Sequence, residues 1–221
     1  MPLFTFVRHG ESECNAKLLN HILLRGEENL NDEWRRGTEC SQRHGGNPSL
    51  TAKGRKQAKK TGTQLVDQLT DNLLLDFSGP TSDGTDRNWK SDPPKCLFLC
   101  SDLERCVETA LSALEQAAKR VRWMSTTEQT LQIRPDLREH VDLAEDVDGS
   151  WRKEYEGNLD AFVEEMYDMR LTNIDHVFVF CHSNVMKDVI GRLDNYGKPR
   201  FKISVYNGGA VTLKKSLPRE N

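Results

Sequence analysis

Short apolar segments separated by polar stretches are the most regular feature of this chain. Three of them have the length of a β-strand and end at charged or turn-forming residues: Leu3–Val7, Lys95–Cys100 and Asp175–Cys181. In the third, the apolar residues are nearly continuous, which is typical of a strand buried on both faces of a sheet. Further strands are predicted at Thr130–Ile133, Phe201–Tyr206 and Ala210–Leu213, the last two around a turn at 207–209.

Between these segments, apolar residues recur every three or four positions, which predicts amphipathic helices. One covers Thr51–Thr70, and another contains Leu159, Phe162, Val163, Met166 and Tyr167 on its buried face. A third helix follows Ser101 and Glu104, which have the spacing of a capping box. Its predicted apolar stripe consists of Leu103, Val107, Leu111, Leu114 and Ala118. A fourth is expected to be capped by Ser183 and to end before Gly197 and Pro199.

Two segments lack such periodicity and are predicted to be insert loops, at about 17–49 and 76–95. Within the first, only His21–Leu24 is expected to be helical. Strands alternating with helices predict an α/β fold, with three layers and a mainly parallel sheet flanked by helices. A length of 221 residues suits one such domain over 1–221.

Bulk composition narrows the possible partners. The net charge of -3 provides no general attraction to nucleic acid or to an anionic membrane. No apolar run approaches the roughly 20 residues that span a bilayer, and the first run is shorter than the apolar core of a secretion signal. The 6 cysteines form no metal-binding spacing, and we expect reduced thiols and a cytoplasmic protein.

The candidate chemistry lies where predicted strands end. Arg8 and His9 follow the first strand, Arg105 lies just after the second, and His182 follows the third. The carboxyl ends of neighbouring parallel strands meet at one edge of a sheet, so these residues can converge there. A neutral histidine can attack phosphorus, and arginine forks match phosphate oxygens at any working pH.

The remaining requirements for phosphoryl transfer have candidates too. His182 and Asn15 can donate hydrogen bonds to the phosphoryl group, and Ser12 and Ser183 are further candidates for substrate binding. Glu139 is the candidate for proton transfer to the leaving oxygen and from the attacking water. Other carboxylates in the same acidic region compete for that role: Asp142, Glu145, Glu154 and Glu156.

These motifs together resemble the histidine phosphatase superfamily, also called phosphoglycerate mutase-like. The resemblance rests on Arg8-His9-Gly10-Glu11-Ser12 with Asn15, on Leu50-Thr51-x-x-Gly54-x-x-Gln57-Ala58, on Ser101-x-Leu103-x-Arg105-x-x-x-Thr109-Ala110, on Leu137-Arg138-Glu139 and on Cys181-His182-Ser183. It implies a phosphohistidine cycle in which Arg8, His9, Arg105, Glu139 and His182 are catalytic, without a metal or other cofactor.

The chain departs from the superfamily's usual pattern at several positions. Glu108 stands where a glutamine is common, and Cys181-His182-Ser183 replaces a frequent Gly-His-Gly. The Glu-Arg-His-Tyr-Gly-like stretch that resembles cofactor-dependent phosphoglycerate mutases is replaced by Glu139-His140-Val141-Asp142. Hydrolysis of a phosphomonoester is therefore the first expectation.

Three alternatives to hydrolysis of a phosphomonoester are considered. A mutase would isomerise a small phosphate, and a non-catalytic module would bind phosphate as a scaffold. His9, Glu139 and His182 could also form a metal triad, but two neighbouring arginines disfavour a cation and suit an oxyanion. The expected substrate is a phosphorylated small molecule or a phosphoprotein, and the sequence does not predict the oligomeric state.

Overall fold

The computed structural model describes residues 2–25, 47–72, 94–121, 131–139, 150–169, 172–193 and 205–213. Within these ranges the strands are β1 (Leu3–Arg8), β2 (Cys96–Ser101), β3 (Leu131–Arg134), β4 (His176–Cys181) and β5 (Ala210–Leu213). The α-helices are α1 (Glu13–Arg25), α2 (Ala52–Asn72), α3 (Glu104–Ala118), α4 (Ser150–Asp168) and α5 (Ser183–Leu193), and a 3₁₀ turn covers Pro135–Leu137.

The described strands form one sheet in the order β3-β2-β4-β1-β5. β4 pairs in parallel with both β1 and β2, and β2 pairs in parallel with β3. Only β5, at the edge beside β1, runs antiparallel. The predicted mainly parallel sheet is confirmed, and the strands that precede His9, Asp102 and His182 are adjacent.

Helices cover both faces of this sheet, which confirms the three-layer α/β architecture. Because successive strand side chains point to opposite faces, Val177 and Val179 belong to the core under α4 and α5. Phe178 and Phe180 belong to the opposite core, under α2 and α3. Full burial of one phenylalanine side chain contributes about 1.5–3 kcal/mol to folding. Both faces of β4 are therefore hydrophobic, as its continuous apolar run predicted.

The buried face of α3 only partly overlaps the predicted stripe, in which Leu103 is buried and Val107, Leu114 and Ala118 are partly buried against the core. Its buried residues are Arg105, Cys106, Thr109, Ala110, Ala113 and Ala117, whereas Leu111 of the predicted stripe is 57% exposed. Small residues on both helices let α3 approach α2 closely. At the point of contact, a Cβ on Gly62 would lie 2.1 Å from the carbonyl oxygen of Ala113. Close backbone contact, rather than leucine burial, joins these helices.

The predicted capping box at the start of α3 is wrong. Ser101 is the last residue of β2, and Leu103 occupies the N-cap position without a side-chain capping bond. The hydroxyl of Ser101 is instead 3.0 Å from Nε2 of His182. The cap expected of Ser183 is also wrong, because Ser183 is the first residue of α5 and the carbonyl of His182 accepts from the Met186 amide.

The predicted insert loops are only partly described. Residues 17–25 belong to α1, so the predicted start of the first insert loop, at about residue 17, is wrong. Helix α1 also begins before and ends after the short helix predicted at His21–Leu24. Residues 26–46 and 76–93 lie outside the described part of the chain, as do Gly197, Pro199 and residues 201–204. No helix among the described residues has the length and apolarity needed to cross a bilayer.

Cysteine chemistry differs from the expectation at one position. Cys96, Cys100, Cys106 and Cys181 are free. Cys14, in the first turn of α1, is disulfide-bonded, so the expectation of reduced thiols throughout is wrong. A disulfide is more common in oxidising compartments than in reducing ones.

Candidate active site

The parallel pairing brings the predicted residues together at one edge of the sheet. Arg8 ends β1 and pairs in register with Cys181, the last residue of β4. His9 and His182 follow directly, and their ring centroids are 5.1 Å apart. Arg105 enters from the first turn of α3, and Glu139 follows the 3₁₀ turn after β3.

Glu139 contacts both an arginine and a histidine of the site. Its Oε2 lies 3.4 Å from Nη2 of Arg105 and 3.5 Å from Nδ1 of His182. Of the competing carboxylates, Glu154 and Glu156 are exposed, while Asp142 and Glu145 lie outside the described residues. We call Arg8, His9, Arg105, Glu139 and His182 the five-residue cluster.

The hydrogen bonding of His9 defines its tautomer. Its Nδ1 lies 2.7 Å from the carbonyl oxygen of Gly10, which can only accept, so Nδ1 carries the proton. Burial, the charge of Arg105 and then that of Arg8 lower the pKa of His9 to about 3, against the opposing Gly10 hydrogen bond. His9 is therefore neutral at physiological pH, with an unprotonated Nε2 available as a nucleophile.

His182 is also neutral. Burial first, then electrostatic interactions with Arg105, His9 and Arg8, hold the pKa of His182 well below its usual value. Its Nε2 lies 3.0 Å from the Ser101 hydroxyl and 3.4 Å from the sulfur of Cys106. The positive charge of the cluster therefore comes from its arginines.

Arg8 is held in place by the backbone of Val205. Its Nη1 donates to the carbonyl of Val205 at 2.5 Å, whereas its buried Nε has no hydrogen-bond partner among the described residues. Burial lowers the pKa of Arg8, and the charge of Glu139 opposes that change. A guanidinium with an unused donor suits binding of an anion.

Residues that the sequence analysis did not assign hold the loop after β1 in place. The Gly10 amide donates to the hydroxyl of Thr109 at 3.0 Å, and that hydroxyl donates to the carbonyl of Arg105 at 2.6 Å. A Cβ on Gly10 would lie 2.5 Å from the carbonyl oxygen of Gly54, so the loop requires glycine there. Thr109 and Gly54 both belong to sequence motifs quoted above, and this is the signal that could have identified them.

Glu11, which belongs to the same motif, forms hydrogen bonds with residues at the start of α2. Its carboxylate accepts from Lys53 at 2.7 Å and from the Thr51 hydroxyl at 2.9 Å. The Lys53 hydrogen bond is the largest cause that lowers the pKa of Glu11, ahead of the opposing effect of burial. Glu11 thus ties the His9 loop to the start of α2.

The remaining predicted substrate-binding residues lie at helix starts. Ser12 and Asn15 bond to each other at the start of α1. The Ser12 hydroxyl donates to Oδ1 of Asn15 at 3.1 Å and accepts from the backbone amide of Asn15 at 3.3 Å. Ser183 is half-buried at the start of α5. Their roles in substrate binding remain predictions.

The geometry also allows a test of the metal alternative. One ligand atom each from His9, Glu139 and His182 lie within 4.8 Å of one another. However, Arg105 already donates toward the same Glu139 oxygen, and Arg105 and Arg8 both add positive charge. A phosphate-sized oxyanion fits this charge pattern better than a divalent cation.

The chain is similar to known proteins at the level of structure. No family model and no curated protein matches the chain. Among solved structures, the α-ribazole phosphatase of Shigella flexneri is 19% identical with a TM-score of 0.51, over 95% of this chain and 89% of that one.

A second similar structure is a mycobacterial glucosyl-3-phosphoglycerate phosphatase in complex with VO3. It is 13% identical with a TM-score of 0.54, over 97% of this chain and 91% of that one. The product of an open reading frame of Mycobacterium tuberculosis is 15% identical with a TM-score of 0.52, over 96% and 90% of the two chains. The chain has the histidine phosphatase, or phosphoglycerate mutase-like, fold.

Proposed function

We propose that this chain is a phosphatase that hydrolyses phosphomonoesters through a phosphohistidine on His9. The observation that carries the proposal is the Gly10 carbonyl 2.7 Å from Nδ1 of His9, beside two arginines. This contact leaves the other ring nitrogen, Nε2, unprotonated for attack on phosphorus. The phosphatase names of two structures with the same fold are consistent with this chemistry.

In the first step, Nε2 of His9 attacks phosphorus and the bond from phosphorus to the ester oxygen breaks. Arg8 and Arg105 neutralise the charge on the non-bridging oxygens, which is the main demand of phosphoryl transfer. Glu139, in its protonated form, gives its proton to the departing oxygen. The products of this step are the alcohol and phospho-His9.

In the second step, a water molecule attacks phosphorus while Glu139 takes one of its protons. The Nε2–phosphorus bond breaks, and inorganic phosphate leaves with the enzyme restored. In both steps Glu139 is the protein group that gives or takes the proton, so the proposed cycle uses no metal. The substrate class remains a phosphorylated small molecule or a phosphoprotein.

Release of inorganic phosphate from p-nitrophenyl phosphate, in the presence of a chelator, tests the proposal. We expect turnover by the wild-type chain and none above background for His9→Ala, with ³²P transferred from a labelled phosphomonoester to the wild type only. Glu108→Gln is the matched control, since Glu108 accepts from the Leu50 amide at 2.9 Å rather than facing the cluster. Full activity of His9→Ala would contradict the proposal.

The same assay separates the alternatives. A phosphoenzyme that passes its phosphoryl group to a phosphoglycerate faster than to water would indicate a mutase. Binding of inorganic phosphate without any labelled protein would indicate a non-catalytic module.

A further inference from the structure

We propose that Ser101 is a positioning residue that sets the tautomer of His182 and thereby makes Nδ1 of His182 a hydrogen-bond donor toward the phosphoryl group. This inference rests on the proposed function for its role in the reaction. Its structural part, the tautomer, can be measured without any activity.

The tautomer of His182 depends on the polar groups that contact its two ring nitrogens. The side chain is fully buried, so water does not supply partners for its ring. Nε2 lies 3.0 Å from Oγ of Ser101 and Nδ1 lies 3.5 Å from Oε2 of Glu139. A neutral imidazole has one N–H and one acceptor nitrogen, so only one of these contacts can receive its proton.

Glu139 indicates which nitrogen carries that proton. Once Glu139 has given its proton to the leaving oxygen, its carboxylate only accepts hydrogen bonds, so an unprotonated Nδ1 would then place two lone pairs against each other at 3.5 Å. With the proton on Nδ1 the same contact is attractive. Nε2 then needs a donor, and a serine hydroxyl can supply one.

Ser101 is free to donate in that direction. The Leu103 amide donates to its oxygen at 3.5 Å, a long contact that uses an acceptor position and leaves the hydroxyl proton available. The thiol of Cys106, 3.4 Å from the same Nε2, is a weaker second donor. Burial raises the pKa of Cys106 well above its usual value, so the thiol keeps its proton.

The two histidines of the cluster are thus protonated at the same ring nitrogen but present opposite properties to the substrate. In His9 the Nδ1 proton is used by the Gly10 carbonyl, which leaves a lone pair on Nε2 for attack. In His182 the Nδ1 proton points to the Glu139 side of the site, where a phosphoryl oxygen can accept it. The difference arises because His182 contacts the hydroxyl of Ser101 at Nε2, whereas His9 contacts the carbonyl of Gly10 at Nδ1.

Heteronuclear NMR of the ¹⁵N-labelled chain tests the tautomer directly, because the ¹⁵N shifts and the couplings to the carbon-bound ring protons distinguish protonated from unprotonated nitrogens. His182→Gln assigns the signals. We expect a protonated Nδ1 in wild-type His182, and a shift toward the Nε2-protonated form in Ser101→Ala, with His9 unchanged. Ser101→Ala removes a single oxygen atom, and Ser101→Thr is the conservative variant that keeps the hydroxyl.

Kinetics supply the second readout. For p-nitrophenyl phosphate, kcat/KM of Ser101→Ala should fall by roughly ten- to a hundredfold, the size expected from loss of one buried hydrogen bond. The inhibition constant of inorganic phosphate should rise in parallel, and Ser101→Thr should restore both values and the tautomer.

The outcomes separate this inference from the proposed function. A protonated Nε2 in wild-type His182, or a Ser101→Ala variant with unchanged tautomer and unchanged kcat/KM, would overturn the positioning role even in an active phosphatase. The expected tautomer change in a chain that lacks turnover would support the assignment of Ser101 and contradict the phosphatase.

Discussion

His9 and His182 are the same side chain with different hydrogen-bond partners, and the difference decides what each can do. Both are kept neutral, since burial is the largest cause that lowers the pKa of each. The positive charge of the cluster therefore resides on Arg8 and Arg105. A nucleophile is useful only when unprotonated, so this division of charge suits attack on a phosphate anion near neutral pH.

The role of Glu139 leads to a prediction that depends on the leaving group. In Glu139→Gln the side chain keeps its shape but cannot move a proton, and general acid–base catalysis contributes about 10²–10⁴-fold. With an alkyl phosphate such as β-glycerophosphate, formation of the phosphoenzyme should slow by that amount. With p-nitrophenyl phosphate, whose leaving group needs little protonation, we expect a burst of product followed by slow turnover.

Rapid-quench measurement of the burst and of labelled phosphoenzyme checks this prediction. Glu108→Gln serves as the control for loss of one negative charge, because its amide oxygen can still accept from the Leu50 amide. Equal losses on both substrates with no burst would show that Glu139 acts through its charge alone.

At the scale of elements, the strand ends were predictable because the apolar runs and the residues that follow them are local features. Leu3–Val7 and Asp175–Cys181 differ from the strands in the structure by one residue at an end. The convergence of His9 and His182 followed from the parallel pairing that those runs indicated. What each histidine bonds to depends on a neighbouring carbonyl and on β2, which the spacing of residues does not encode.

The face of α3 was predictable only in part, because its closest packing depends on the partner helix. A search for large apolar residues selected Leu111, which is 57% exposed. The structure instead uses Ala110, Ala113 and Ala117 on α3 against Gly62 on α2. Small residues that permit a close approach carry little hydrophobic signal of their own, so the periodicity of large residues selects a face that only partly coincides with the buried one.

This close approach can be tested with two glycine substitutions of opposite expected sign. Gly62→Ala adds a Cβ that would lie 2.1 Å from the backbone oxygen of Ala113, which cannot move without shifting α3. Overpacking costs about 1–3 kcal/mol, more than the roughly 1 kcal/mol gained in helix propensity. The free energy of unfolding should therefore fall, by up to about 2 kcal/mol.

Gly157→Ala is the matched control within α4, because nothing lies within 4 Å of its added Cβ. It should raise the free energy of unfolding by about 0.5–1 kcal/mol. Urea denaturation at an unchanged m-value measures both changes. Stabilisation by Gly62→Ala would mean that the two helices are further apart than the structure shows.

At the scale of the whole molecule, β4 has a buried histidine at each end. His182 follows its carboxyl end in the candidate site, while His176 begins the strand at the opposite edge of the sheet. His176 stacks on Phe178 with ring centroids 4.1 Å apart, and its Nε2 is 2.8 Å from the Thr5 hydroxyl. This second histidine has no part in the proposed reaction, but burial lowers its pKa to about 4.

His176 should therefore make the fold sensitive to mild acid. An unfolded histidine takes up a proton near pH 6.5, whereas folded His176 does so only near pH 4, so the unfolded chain binds more protons between these values. Its stabilising effect is present above about pH 6.5, falls as the pH drops, and levels off below about pH 4. From pH 7 to pH 5 the loss from this group alone is about 2 kcal/mol.

His176→Phe keeps an aromatic ring over Phe178 and removes the titration, while the Thr5 hydroxyl keeps its contact with Thr212 at 2.8 Å. Urea unfolding of both proteins at pH 7 and pH 5 gives the loss of stability for each. His9 and His182 contribute equally to both, so the wild type should lose about 2 kcal/mol more than the variant. An identical loss would mean that folded His176 is protonated at an ordinary pH, and that water reaches this end of β4.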